Sequence, residues 1–382
     1  MRYIPPILLF LLLVACPKPP EQLDPAICDD GYHPCGPDSQ ECCLDTTSHE
    51  FSWQLDTIGN YASWINDFAI ISEDDIWAVG NIIMPDLDSG ANVFDTEMFN
   101  AAHWDGNTWQ VIAIDMLLEI NNTIIRPELS SIHPFSDNDI WVTTGGFPVH
   151  WDGTSWTHYQ LLHMGLGIEA GYDAFGISSD DMYFVGYQGG IAHYNGSNFQ
   201  RMESGTDLDL LSIAGSEDGE HLFAVGFDNL SAQSIIIEYA NSTWSTLYYN
   251  QGIIPTQGNM GALYPPCAVL GDTAYFSSVK GLWKYNYITG ESNLLEKAGD
   301  TDLRYLGLEG ILANSSSDIG VFTTQAKLLH FNGDNWRIDK TVTDIFGEFH
   351  ITCKGTDFNN NTVASVGYVY FGSYAYIALG TR

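Results

Sequence analysis

Four histidines fall in one recurring phrase. It reads His103-Trp104-Asp105-Gly106-Asn107-Thr108-Trp109 and His150-Trp151-Asp152-Gly153-Thr154-Ser155-Trp156, with degraded copies beginning at His193 and His330. Imidazoles with neighbouring carboxylates could bind a metal. The Asp pairs at 74–75 and 180–181 could divide acid and base roles as in a glycosidase. Spacing argues against both readings. Each group recurs at one place in a repeat, so a repeating fold deals one copy to each unit, and an Asp at such a turn bonds its own backbone. The segment Asp86-Leu87-Asp88-Ser89-Gly90-Ala91-Asn92 alternates oxygen ligands as a calcium loop does. Asp86, Asp88 and Asn92 are its candidate ligands; Gly90 departs from the EF-hand pattern, and a solvated acidic loop is the alternative. No other cofactor is expected. The thiols fall into three groups: Cys16 near the start, Cys28, Cys35, Cys42 and Cys43 close together, and the isolated Cys267 and Cys353, read as buried thiols.

The first group is read as an address. Met1-Arg2-Tyr3 carries one positive charge, and about a dozen apolar residues follow, against the roughly 20 that span a bilayer. This is a signal-peptide pattern over 1–15. Leu13-Val14-Ala15-Cys16 resembles the lipobox of bacterial lipoproteins, which implies acylation (palmitate among the chains) at Cys16 and anchoring to a membrane. Pro17, rather than Asp, at the next position points to the outer membrane. Residues 16–50 form a linker: prolines 17, 19 and 20 make it stiff, and the four clustered cysteines of an exported chain are expected to form disulfides. Vicinal Cys42 and Cys43 are poorly placed to pair together. The pairings 28–42 with 35–43 and 28–43 with 35–42 stay open, with a zinc site including His33 as the alternative.

Of 382 residues, 45% are apolar and 13% aromatic, while 48 Asp+Glu against 13 Lys+Arg give a net charge of −35. Disordered acidic chains are poor in aromatics, so this is a folded protein with an acidic surface. The charge excludes nucleic acid as a partner, disfavours docking to anionic lipid, and by self-repulsion favours a monomer. The serine–acidic turn and strand of Ser72–Gly80 returns at Ser136, Ser179 and Gly219, and more weakly around Tyr275, Val321 and Ala364. The usual interval is roughly 40 to 50 residues, the length of one propeller blade. Asp-Gly and Asn-Gly between aromatic strands predict a hairpin in each unit. Residues 51–382 are thus expected to be all-β: a seven-bladed β-propeller of four-stranded antiparallel blades. The last unit has room for three strands, and Phe51–Leu55, whose Trp53-Gln54-Leu55 mirrors Trp109-Gln110-Val111, supplies the fourth and closes the ring.

The combination of lipobox, cysteine cluster and His-Trp-Asp-Gly-x-x-Trp repeats resembles a family of uncharacterised exported bacterial lipoproteins; the resemblance implies fold and location but no reaction. The repeats are distantly similar to WD repeats and to the Asp-box repeats of sialidases, and match neither pattern well.

Strand alternation places the blade-to-blade connections and those between second and third strands on one face. Those connections include the long stretches 81–100, 112–130, 157–173 and 248–261. Long loops on a rigid scaffold carry binding, so this face is expected to receive a protein, peptide or glycan, with Trp64, Arg126, His163, Met164, Tyr172 and Tyr249 as candidates. A non-catalytic binding module fits the absence of a catalytic signature. A glycosidase- or lyase-like enzyme and a structural subunit of an envelope assembly are the alternatives.

Overall fold

The computed structural model describes residues 32–34, 42–44 and, apart from 86–95, 229, 253–259, 298–307, 348–349, 360 and 371–373, residues 46–382. The chain divides into two compact units, 1–45 and 46–382. In the first, Tyr32–Pro34 pairs antiparallel with Cys42–Leu44, His33 opposite Cys43. Cys16, Cys28 and Cys35 lie outside the described residues, as do the side chains of Cys42 and Cys43.

The second unit is a seven-bladed β-propeller. Seven antiparallel sheets of four strands follow one another along the chain. Their innermost strands are Trp64–Ser72, Ser131–Ser136, Ala170–Ser178, Leu210–Gly215, Leu263–Leu270, Leu308–Ser315 and Ile351–Asn359, which begin blades 1 to 7 in that order. Each innermost strand packs on the next, and the seventh returns to the first. Blade 7 is composite. Ser52–Ile58 pairs with Tyr374–Thr381, Ser52 opposite Thr381, so the early strand closes the ring as its pattern predicts. The closing strand covers the edge of Tyr374–Thr381 that would otherwise be bared.

Burial follows from this arrangement. The second strand of each blade is covered on both faces, so it reads as a continuous apolar run (Ile76-Trp77-Ala78-Val79, all buried). Its side chains alternate between two cores: Ile76 and Ala78 pack towards blade 7, Trp77 and Val79 towards blade 2. Seven apolar clusters fill the seven blade interfaces.

The outer hairpins form as their sequences require. Asp152 Oδ1 accepts the N–H groups of Thr154 and Ser155 at 2.8 Å each, and Gly153 takes φ 84°. Asp105 and Asn195 repeat the turn. At Gly106 a side chain would also run into Asp74, whose Oδ1 lies 2.7 Å from where a Cβ would stand.

Two of the expected loops differ. Residues 81–100 are not one loop: Asp75–Pro85 and Thr96–Trp104 run past the common blade length and stay paired to Pro85–Thr96. Asp86, Asp88 and Asn92, the calcium candidates, fall in 86–95 and lie outside the described residues. The connection 112–130 contains an extra hairpin, Met116–Leu118 with Thr123–Ile125.

Candidate functional site

The recurring histidines sit apart, one to a blade, each on its own acid. His103 meets Asp75 at 2.7 Å, His150 meets Asp139 at 2.8 Å, His193 meets Asp181 at 2.6 Å and His330 meets Asp318 at 2.8 Å. Ser179 of blade 3 completes a Ser–His–Asp group with His150 and Asp139 of blade 2, but the geometry is not that of a nucleophile. Its Oγ donates to Asp139 at 2.6 Å, lies 3.1 Å from the same Nε2 that holds Asp139, and accepts from Trp141 Nε1 at 2.9 Å. A relay needs base and orienter on opposite ring nitrogens. Among the described residues no group of three or more His, Cys, Asp or Glu could hold a metal. Cys267 and Cys353 are buried thiols outside any disulfide, and burial pushes the Cys267 thiol up to about 12.

The central channel is lined by all seven innermost strands and has a volume of about 320 Å³. Side chains clasp successive blades around it. Asp357 Oδ2 accepts from Ile70 N at 2.7 Å, Asp67 Oδ2 from Ile132 N at 2.9 Å, and Asp173 Oδ2 from Ile213 N at 2.9 Å. Ser131 Oγ donates to Asp173 at 3.0 Å, and Ser212 Oγ accepts from Cys267 N at 3.3 Å. Asp67 and Asp173 directly follow β-bulges, which turn a side chain towards the neighbouring blade. Burial pushes the Asp67 carboxyl up to about 8 and Asp357 to about 6; Asp173 is also raised by burial. Sequence reading missed these acids. The signal was available as an Asp inside an apolar strand upstream of the Ser–acidic turn, in Asn66-Asp67-Phe68-Ala69-Ile70 and Tyr172-Asp173-Ala174-Phe175.

Next to the channel, on the long-loop face, the seam between blades 7 and 1 opens into a cleft of about 530 Å³. Its walls are Tyr61, Trp64, Tyr368 and Tyr370, with Asn66, Glu128 and Lys354 as polar groups; Asn66 and Lys354 also line the channel. The connection 59–63 that carries Tyr61 is held by buried Ser63, whose Oγ accepts from Asn60 N at 3.1 Å and Ile83 N at 2.9 Å. Asn81 Nδ2 donates to Ala62 O at 2.9 Å. This leaves Tyr61 standing 75% exposed on the rim. Glu128 Oε1 accepts from Trp64 Nε1 at 2.7 Å and from Asn66 Nδ2 at 2.5 Å, which fixes the indole and the carboxylate together. Tyr368 donates to Tyr370 at 3.0 Å. Hydrogen bonds from Tyr368 and Thr352, with the Lys354 charge nearby, hold the Tyr370 phenol below its usual range.

Of the candidates read from sequence, Trp64 lines the cleft and Tyr172 lines the channel, its ring 4.5 Å from that of Tyr187. The others lie elsewhere on the same face. Arg126 binds Asp115 at 2.8 Å and the Met98 carbonyl, stapling the connection after blade 1. His163 and Met164 are exposed on the connection between blades 2 and 3, and Tyr249 donates to Gln233 at 3.0 Å in blade 4. Tyr61, Glu128, Lys354, Tyr368 and Tyr370 belong to no repeat motif.

No family model and no curated protein matches the sequence. Solved structures match the fold. YCF48 bound to D1 peptide superposes with a TM-score of 0.60 at 13% identity over 88% of this chain and 97% of its own. YCF48 from Cyanidioschyzon merolae gives 0.55 at 12% over 86% and 98%. The extracellular domain of BT4673, a proposed one-component system of B. thetaiotaomicron, gives 0.56 at 12% over 86% of this chain and 40% of that one. At these identities the likeness is one of fold.

Proposed function

We propose that the protein is an extracytoplasmic lipoprotein, acylated at Cys16 and held on the outer membrane, whose propeller is a non-catalytic module binding a segment of a partner protein in the cleft between blades 7 and 1. The observation that carries this reading is the cleft itself. It is a concave site of about 530 Å³ with four aromatic walls and few polar groups, one of them fixed in place, which is the usual build of a binding pocket. Glu128 is the one carboxylate among the described residues lining it. Neighbours in fold include a propeller solved with a peptide and an extracellular domain, which is consistent with such a role.

The test is an array of peptides and glycans probed with protein beginning at Thr46. Peptide spots should be bound, and Trp64→Ala and Tyr370→Ala should each lower affinity at least tenfold, about the loss of one stacked aromatic contact. Retention on glycan spots alone would replace the peptide reading, and binding indifferent to both substitutions would remove the cleft from it. Anchoring is tested apart: Cys16→Ser should move the full chain from the membrane fraction to the soluble one.

A further inference from the structure

Resting on the cleft as the binding site, we infer that its ligand presents a carboxylate, received by Lys354 where the cleft meets the central channel. In a chain with 48 acids and 13 bases, cations have acids to hand. Arg126 sits on Asp115, Arg201 on Glu203, Arg337 on Glu50 and Arg382 on Asp318. Lys354 is exposed, makes no ion pair with a described residue, and is the only cation among the residues lining either cavity. It projects from the innermost strand of blade 7, between Cys353, which is buried, and Gly355, whose missing side chain lets blade 1 approach: a Cβ there would stand 2.6 Å from Asn66 O. The position is therefore fixed by backbone packing.

The surroundings suit an anion better than the overall charge suggests. The channel carboxylates, Asp67 and Asp173, are half-buried and already engaged with backbone N–H groups of the next blade. Desolvation raises the Asp67 carboxyl to about 8, which weakens its pull on the lysine. The distant surface acids are screened beyond about 8 Å at physiological ionic strength. Tyr368, Tyr370 and Asn66 line the cleft with Lys354, whose charge acts on the Tyr370 phenol, and the indole of Trp64 offers a flat apolar wall. The one cleft carboxylate, Glu128, is already engaged by Trp64 and Asn66, and the ammonium with its aromatic walls is matched by an acidic peptide: a carboxylate next to an apolar or aromatic side chain. The carboxylate could come from a chain terminus or from an Asp or Glu side chain.

The experiment prints each array peptide in three forms: free C-terminus, amidated C-terminus, and amidated with an internal Asp or Glu exchanged for Asn or Gln. Wild-type protein should favour carboxylate-bearing forms. A preference lost on amidation assigns the chain terminus, and one lost on the Asp or Glu exchange assigns the side chain. Lys354→Met, on the surface and so expected to fold normally, should weaken those peptides about tenfold, as loss of a charged hydrogen bond does, and leave the amidated, acid-free forms unchanged. Lys354→Arg should restore most of the affinity. If Trp64→Ala abolishes binding while Lys354→Met changes neither affinity nor preference, the carboxylate inference fails and the cleft stands. If neither substitution has an effect, or no peptide binds, both fail.

Discussion

Blade 4 exchanges the partners of a pair that other blades hold in common. In blades 1, 2, 3 and 6 an acid at the start of the second strand faces a histidine on the third. In blade 4 His221 takes the place of the acid and Glu238 that of the histidine, and they still meet at 3.2 Å. The histidine keeps an aromatic partner as well: His150 stacks on Trp141 at 4.4 Å, and His221 on Tyr287 at 4.4 Å. The pair is thus selected as a contact, independent of which strand carries which charge. Glu238→His, which sets two histidines face to face, should destabilise the fold by about 1 kcal/mol, and adding His221→Asp should recover most of the loss. A denaturation double-mutant cycle measures this; additive effects would show that the two residues do not act as a pair. In sequence, Glu238 reads as a worn copy of the histidine phrase. Only the register shows the compensation, because the two members lie on different strands.

At the scale of the element, the closing strand holds the ring through particular contacts. Trp53 Nε1 donates to Asp339 on the outer strand of blade 6 at 2.9 Å, and Trp109 Nε1 reaches Asp56 on the closing strand at 3.2 Å. Arg382 bonds the buried Asp318 and lies over the rings of Phe51 and Phe358 at 5.4 and 5.3 Å. Protein beginning at Gly59 should lose roughly 5 kcal/mol from the half-buried Phe51, Trp53, Leu55 and buried Ile58, and should self-associate through the bared edge of Tyr374–Thr381. Thermal melts and light scattering, with protein beginning at Thr46 as reference, check this; an unchanged, monomeric melt would mean that three strands suffice. Closure was legible because Trp53-Gln54-Leu55 repeats the outer-strand pattern of blade 1. The lengthened hairpin of blade 1 was not, since periodicity marks where strands begin and says little about how far pairing continues. The inserted hairpin at Met116–Ile125 lacks the Asp-Gly turn that marks the others and reverses at Asn122, φ 53°.

At the scale of the molecule, the cleft shows what a ring does that no local pattern reports. Tyr61, Glu128 and Lys354 meet only because the last blade returns to the first, so no repeat motif names most of the residues that line the cleft. The same geometry sets the pH dependence of stability. Asp67 and Asp357 have folded pKa values of about 8 and about 6, raised by burial. A carboxyl so raised favours the folded state fully below its unfolded pKa near 4, and that contribution is withdrawn as pH rises towards the folded value, by about 1.4 kcal/mol per pH unit for each group. Asp318 works in the other direction: burial raises it, but hydrogen bonds from His330, Arg382 and Asn314 outweigh this and lower it, so its contribution is lost on acidification below about pH 4. The net charge of −35, which grows no smaller with pH, adds repulsion on the alkaline side. Burial lowers the His133 pKa, which opposes this trend below about pH 6.5, so stability should fall most clearly from about pH 6.5 to 8. Salt separates the two causes, since screening relieves surface repulsion but not buried ionisation. In high salt the melting temperature should rise at every pH while a slope remains, and Asp67→Asn, which keeps an acceptor for the Ile132 N–H, should flatten that slope. A melting temperature that climbs from about pH 6.5 to 8, or a slope unchanged by Asp67→Asn, would mean that these carboxyls do not hold their protons in the folded ring.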